Sequence, residues 1–175
     1  MTVFFRAFVA LALSAIIVPA AAQARLHCVP FARQVSGIEI RGNAETWWGQ
    51  AAGRFERNQN PAEGSVLAMP GTRKMPMGHV AMVSRIVNDR EILLTHANWS
   101  RPGMIERNVR AVDVSEAGDW SRVRVWHAGS GQLGITAYPA SGFIHPGQAR
   151  DVVDAPIQFA FRLDDEVREL AAQGG

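Results

Sequence analysis

Apolar residues recur along this chain with two different periods, and each period predicts a different secondary structure. A helix is predicted over 28–36, where Pro30 is acceptable in the first turn and Gly37 is a plausible left-handed cap. A second helix is expected to begin at Asn43, a residue that commonly caps a helix N-terminus. This second helix would carry one apolar stripe, made of Ala44, Trp47, Trp48, Ala51, Ala52 and Phe55.

From residue 65 onward the sequence is dominated by short stretches rich in apolar and β-branched residues, which predict strands. The predicted strands cover 65–69, 78–87, 91–99, 108–115 and 121–126, and residues 135–146 are expected to pack along the sheet edge. Two helices followed by several strands predict an α+β fold in which N-terminal helices pack against an antiparallel β-sheet.

Two of the predicted strands form a hairpin whose register can be worked out. If Asn88 and Asp89 are the two loop residues, His79 lies directly across from Asn98. Because side chains alternate between the faces of a sheet, His96 shares a face with His79 and is its diagonal neighbour. The sequence therefore predicts that His79, His96 and Asn98 lie close together.

The first 24 residues have the pattern of a secretory signal. Arg6 is the only charged residue there, an apolar run follows over 7–18, and Ala22-Gln23-Ala24 has the small-x-small form of a cleavage site. An uncleaved anchor is the alternative, but the run is short for a membrane span. We expect a signal peptide at 1–24, one domain at 25–146 and a partly mobile tail at 147–175, in a protein that is periplasmic or secreted.

Composition and charge restrict the classes of partner. Among 175 residues, 47% are apolar and 19% are charged, which is typical of an ordinary globular domain. The formal net charge of +2 is too small to indicate binding to nucleic acid or to a membrane surface. We expect neither partner once the signal is cleaved.

Cys28 is the only cysteine, so it cannot form a disulfide within the chain. A lipid-attachment cysteine is disfavoured because Arg25-Leu26-His27 lacks the small residue that lipidation requires before the cysteine. Two alternatives stay open, a buried structural cysteine and a catalytic nucleophile. The predicted position at the N-terminal end of a helix favours a thiolate, because the helix dipole stabilises negative charge there.

A cysteine nucleophile needs a histidine base and a polar group that orients the base. His79 opens a strand and is the candidate base, and His96 or Asn98 is the candidate orienting group. The backbone N–H of Cys28 is the natural donor to an oxyanion. A zinc site made of Cys28, His79 and His96 is the other chemical interpretation, but no closely spaced ligand pair supports it. We therefore expect no metal and no organic cofactor.

These motifs resemble a CHAP domain (cysteine, histidine-dependent amidohydrolase/peptidase). The resemblance rests on Cys28 at a helix start, on Gly78-His79-Val80 at a strand start and on the strand ending His96-Ala97-Asn98-Trp99, and it extends over about 26–126. It implies a papain-like fold in which Cys28 is the nucleophile, His79 the base and Asn98 a polar member of the site. Many CHAP domains have a glutamate where this chain has His96, although related cell-wall peptidases use a second histidine there.

The resemblance also implies the substrate. We expect an exported cysteine hydrolase that cleaves amide bonds of peptidoglycan stem or cross-bridge peptides, as an endopeptidase or as an N-acetylmuramoyl-L-alanine amidase. The alternatives are a non-catalytic CHAP-like module that binds wall peptides, an exported domain in which Cys28 is only a core residue, and an acyl transferase. No separate wall-binding repeat is visible, so targeting would come from the domain itself or from an unidentified partner.

Overall fold

The computed structural model describes residues 27–147. The predicted signal at 1–24, and the predicted tail beyond residue 147, lie outside the described residues, so the domain boundaries stay predictions. No helix within 27–147 is long and apolar enough to cross a membrane.

The first predicted helix is confirmed with the predicted boundaries. Helix α1 covers Cys28–Ser36 and buries Phe31 and Ala32. It ends at Gly37, whose backbone has a left-handed φ of 73° and whose N–H donates to the Arg33 carbonyl at 2.9 Å. Cys28 therefore occupies the first turn of a helix that packs against the sheet.

The second predicted helix is wrong in length. Its place is taken by a 3₁₀ turn at Ala44–Thr46 and a one-turn helix α2 at Trp47–Gln50. A helix cannot continue through Gly53, because its backbone has a left-handed φ of 70°. Trp47 of the apolar stripe is nevertheless fully buried, so the periodicity located the buried face correctly but overestimated the length of the helix.

The predicted antiparallel sheet is confirmed. Within the described residues the strands are β1 (Arg57–Asn58), β2 (Val66–Met69), β3 (His79–Asn88), β4 (Glu91–Ala97), β5 (Ile105–Asp113), β6 (Arg122–His127), β7 (Gln132–Leu133), β8 (Tyr138–Pro139) and β9 (Gly142–Ile144). Their order across the sheet is β1-β9-β2-β3-β4-β5-β6-β7, and β8 pairs with β6. The expectation that 135–146 lies along the sheet edge is wrong for β9, which pairs with both β1 and β2.

The sheet is buried on both faces near its centre. Val66 and Ala68 of β2 pack into a cluster with residues of α1 and α2, among them Ala32 and Trp47. The alternate β2 positions pack on the other face, in a cluster that includes Trp120 and Phe143. α1 covers β3 and β4. This packing holds the first turn of α1 and the first residues of β3 together at the same end of the sheet.

The hairpin turn between β3 and β4 differs from the prediction, whereas its register at the far end agrees with it. Asn88 pairs with Glu91, so the turn is one residue later than expected. Two β-bulges, between Val83 and Arg85 and between Ile86 and Asn88, then change the register. Beyond them Val83 pairs with Leu94, which is the predicted pairing.

Candidate active site

The predicted site residues meet at one end of the sheet, around a cavity of about 670 Å³. Cys28 at the start of α1, His79 at the start of β3 and Asn98 just after β4 all line it. His96 lies behind His79 and is only 1% exposed. The fold thus brings together four residues that are separated by up to 70 positions in the sequence.

Cys28 is partly buried, and burial raises the pKa of its thiol above the ordinary value. Backbone hydrogen bonds from Val80, Val29 and Cys28 itself lower this pKa, but by less than burial raises it. The N–H groups at the start of the helix therefore lower the thiol pKa, as expected, but loss of hydration outweighs them, so the net shift opposes the predicted thiolate.

His79 and His96 form a buried pair. The Nε2 atom of His79 lies 3.0 Å from the Nδ1 atom of His96, which is hydrogen-bonding distance. The rings meet nearly edge to face, with centroids 5.1 Å apart and planes inclined by 80°. The predicted proximity of these two histidines is confirmed. Because His79 uses Nε2 for this contact, its Nδ1 atom is the ring nitrogen that the pair does not use.

Both imidazoles are held in the neutral form. Burial puts the pKa of His79 well below its ordinary value, and the neighbouring His96 lowers it further. Burial lowers the pKa of His96 to about 4, and the Glu106 carboxylate opposes this shift. At neutral pH the site therefore consists of a thiol and two neutral imidazoles.

Trp99 covers the histidine pair. Its ring centroid lies 4.8 Å from that of His79 and 5.8 Å from that of His96, and it also makes an edge-to-face contact with Tyr138 at 5.0 Å. The indole N–H donates to the Trp126 carbonyl at 3.0 Å, which fixes the ring in place. Trp99 therefore contributes to the burial that lowers both histidine pKa values.

Asn98 lines the cavity, but its side chain serves the following loop. Its backbone has a left-handed φ of 63°, which asparagine tolerates better than most residues. Its N–H donates to the Met104 carbonyl at 2.8 Å, and its Oδ1 accepts from the Gly103 N–H at 2.9 Å. Of the two residues predicted to orient His79, His96 is the one that contacts the ring nitrogen.

Several residues near the site were not predicted to belong to it. His27 and His127 line the cavity although the sequence suggested no role for them there, and Tyr138 lines it as well. Glu106 on β5 pairs with His96 across the strands. Only the pairing of β4 with β5 could have placed Glu106 beside His96. The sequence did not predict this pairing, because the predicted strand over 108–115 began after Glu106.

A metal has no evident place among the described residues. Within 27–147, no group of three or more histidine, cysteine, aspartate or glutamate side chains is arranged to hold a metal ion. The one contact between a ring nitrogen and a carboxylate in the histidine pair, His96 Nε2 to Glu106 Oε2, measures 3.7 Å.

Comparison with known proteins finds a family match over part of the chain. Residues 20–98 match the family model of the CHAP domain, a segment that contains Cys28, His79, His96 and Asn98. The predicted resemblance to CHAP domains is confirmed over these residues.

A particular relative is the protein named Probable autolysin SsaALP of Staphylococcus aureus (strain NCTC 8325 / PS 47), which is 33% identical over 81 residues. That match covers 45% of this chain and 29% of the staphylococcal protein, so it spans less than a third of the relative's length.

Proposed function

We propose that this protein is an exported cysteine hydrolase that cleaves amide bonds in the peptides of peptidoglycan. The observation that carries the proposal is the cavity that Cys28, His79 and Asn98 line together, with His96 bonded behind His79. Cys28 is the nucleophile, His79 the base, His96 the group that orients the base and Asn98 a polar member of the cavity wall. A helix carries the thiol and a sheet carries the imidazole, which supports the papain-like arrangement that the family resemblance implies.

The first half of the reaction forms an acyl-enzyme. The Cys28 sulfur attacks the substrate carbonyl carbon while His79 Nδ1 takes the thiol proton. Charge develops on the carbonyl oxygen, which the backbone N–H of Cys28 stabilises at the helix N-terminus. The carbon–nitrogen bond then breaks, His79 returns its proton to the leaving amine, and a thioester to Cys28 remains.

The second half releases the acid. His79 Nδ1 takes a proton from water, the hydroxyl adds to the thioester carbon, and the carbon–sulfur bond breaks as the sulfur regains a proton. The resting thiol and neutral imidazole match this scheme, because proton transfer then accompanies attack instead of preceding it. His96 holds the His79 ring in one orientation during both proton transfers.

The substrate class comes from the relatives. A CHAP-family match and a relative named an autolysin support a wall-lytic role, with peptidoglycan stem or cross-bridge peptides as partners. The type of bond is left open between an endopeptidase and an N-acetylmuramoyl-L-alanine amidase. A wall substrate requires export, which the predicted signal over 1–24 would supply to the periplasm or the exterior.

The test is digestion of purified peptidoglycan by the 175-residue chain and by its Cys28→Ala variant, with fragments identified by mass spectrometry. A His145→Gln variant is the matched control, because His145 bonds Asn58 at 3.0 Å and does not line the cavity. We expect release of peptides by the parent and the control but not by Cys28→Ala. Equal release from all three would refute the proposal, and the new termini would identify the bond.

A second candidate function is a non-catalytic module that binds wall peptides. This alternative is favoured by His96, which stands where many CHAP domains have a catalytic glutamate. In this case the parent and Cys28→Ala would be retained equally on insoluble peptidoglycan and neither would release fragments.

A further inference from the structure

Glu106 is a buried carboxylate directly beyond the histidine pair. It lies opposite His96 in the pairing of β4 with β5, and it is only 4% exposed. Its Oε2 atom is 3.7 Å from His96 Nε2, slightly beyond hydrogen-bonding distance but close enough for strong electrostatic interaction in a buried site.

The carboxylate of Glu106 is fixed by the loop that follows β4. The Ser100 N–H donates to Oε2 at 3.0 Å, and the Ser100 hydroxyl donates to Oε1 at 2.7 Å. The same hydroxyl accepts from the Ala128 N–H at 2.9 Å, so the serine is itself anchored. The negative charge of Glu106 therefore has hydrogen-bonded support and faces His96 in a defined orientation.

His96 Nε2 is buried and makes no hydrogen bond within residues 27–147. A neutral imidazole carries its proton on only one ring nitrogen. If Nε2 carried only a lone pair, that lone pair would face the Glu106 carboxylate and be repelled by it. A proton on Nε2 is instead attracted by the carboxylate.

We propose that Glu106 is a positioning residue, whose carboxylate holds His96 in the tautomer with the proton on Nε2. His96 in this tautomer fixes the orientation of the His79 ring and determines which His79 nitrogen carries the proton. The proposal rests on the function proposed above. With the proton on Nε2, His96 Nδ1 can only accept, so His79 Nε2–H donates to it across the 3.0 Å contact. His79 Nδ1 is then free of a proton, as a base toward Cys28 must be.

The same carboxylate acts when His79 becomes charged. Once His79 holds the thiol proton, its Nε2–H still donates to His96, and Glu106 stabilises the buried positive charge through that ring. Many CHAP domains have a glutamate at the position of His96. In this chain Glu106, on the neighbouring strand β5, supplies the carboxylate instead. The other titratable residues that line the cavity are His27, Cys28 on α1, Lys74, His127 on β6 and Tyr138 on β8.

The first test is the tautomer itself, measured at neutral pH by ¹⁵N and ¹H NMR of the imidazoles in the full chain without substrate. We expect His96 to carry its proton on Nε2, with a proton resonance shifted downfield by the carboxylate. In Glu106→Gln that resonance moves upfield, and in Glu91→Gln it stays. Glu91 is the matched control, because it lies at the other end of the same two strands and pairs with Arg110. A proton on Nδ1 in the parent chain, or an unchanged resonance in Glu106→Gln, would overturn the proposal.

The second test is the rate of peptide release. Glu106→Gln is expected to lower kcat by about tenfold with KM unchanged, as loss of about one pKa unit of charge stabilisation implies. Glu106→Asp, which keeps the charge, should recover part of the rate and also serves if Glu106→Gln does not fold. A loss in Glu91→Gln equal to that in Glu106→Gln would refute the positioning role.

The two proposals fail in different ways. If the parent chain releases no peptide but shows the expected tautomer and its response to Glu106→Gln, hydrolysis is refuted and the positioning by Glu106 stands. If the parent releases peptide and the tautomer is the opposite one, hydrolysis stands and the role of Glu106 is refuted.

Discussion

His79 and His96, 17 positions apart in the chain, share a buried contact of 3.0 Å between Nε2 and Nδ1. Replacing His96 with leucine would leave the His79 Nε2 atom unpaired in a buried site, which costs about 1–3 kcal/mol of unfolding free energy. In the proposed reaction, the rate of peptide release should fall about a hundredfold because the base loses its orientation. Urea unfolding and fragment release measure the two effects.

The control for this change is His145→Gln, at a histidine bonded to Asn58 outside the cavity. If His96→Leu released peptides as fast as this control, His96 would have no part in the reaction.

Acid should destabilise the protein through the same pair. Unfolded histidines titrate near about 6.5, whereas His96 in the folded chain has a pKa of about 4 and that of His79 is also lowered. Between these values the unfolded chain binds more protons than the folded chain, so the free energy of unfolding falls as the pH falls. The slope is up to about 1.4 kcal/mol per pH unit for each histidine.

Urea unfolding at about pH 7 and about pH 5 measures this slope. The slope should be smaller in His96→Gln, where one of the two groups no longer titrates. Stability that is constant or increases on acidification over this range would contradict the lowered pKa values.

Two substitutions of Trp99 separate its effect on the histidine pKa values, through burial, from its effect on stability, through packing and hydrogen bonding. Trp99→Phe keeps an aromatic ring over the pair but loses the hydrogen bond to Trp126, and should cost about 1 kcal/mol of stability. Trp99→Ala opens the pair to water, so the pKa values of His79 and His96 should rise toward their ordinary range. NMR titration of the imidazoles compares the two variants. Unchanged pKa values in Trp99→Ala would mean that Trp99 does not shield the pair.

Cys28 should react slowly as long as no substrate is bound. Burial raises the pKa of its thiol, so the thiolate is scarce at pH 7 and alkylation by iodoacetamide should be slower in the folded chain than in urea. As the chain has one cysteine, the label counts this residue alone. Rapid alkylation of the folded chain at about pH 6 would instead indicate a preformed thiolate–imidazolium pair.

Gly78, directly before His79, has no room for a side chain. An added Cβ would lie 2.6 Å from the Met69 carbonyl oxygen and 2.7 Å from the Glu45 nitrogen, at a φ of +67°. At Gly37 the φ is +73° but nothing lies within 4 Å, so Gly37→Ala isolates the backbone strain, about 1–2 kcal/mol. Gly78→Ala should lower the free energy of unfolding by clearly more than Gly37→Ala does, because it adds the close contacts to the backbone strain. Equal losses in urea unfolding would show that the close contacts relax freely.

The sequence was sufficient for the elements that local rules determine. A helix start and a left-handed glycine gave α1 its boundaries, and alternation gave the central strands. The proximity of His79 and His96 followed from alternation across one hairpin. The position of the turn could not be predicted, because bulges depend on how both strands pack and leave no local signature.

What depends on three-dimensional packing was not predicted. The charge state of Cys28 results from a balance between lost hydration and helix N–H groups, and the sequence reveals only the second. Glu106 reaches the site through strand β5, eight positions after Asn98, and only the pairing of β4 with β5 places it there.

The two bulges in the β3–β4 hairpin have a consequence for how the chain tolerates changes in length. They lie between the turn at 89–90 and the pairing of Val83 with Leu94, and each already accommodates one residue that has no partner. An insertion after Asp89 is therefore separated from the packed half of the hairpin by both bulges, provided that Arg90 keeps its ion pair with the buried Asp113. A tag, a linker or a second domain inserted there is expected to leave His79 in place relative to His96.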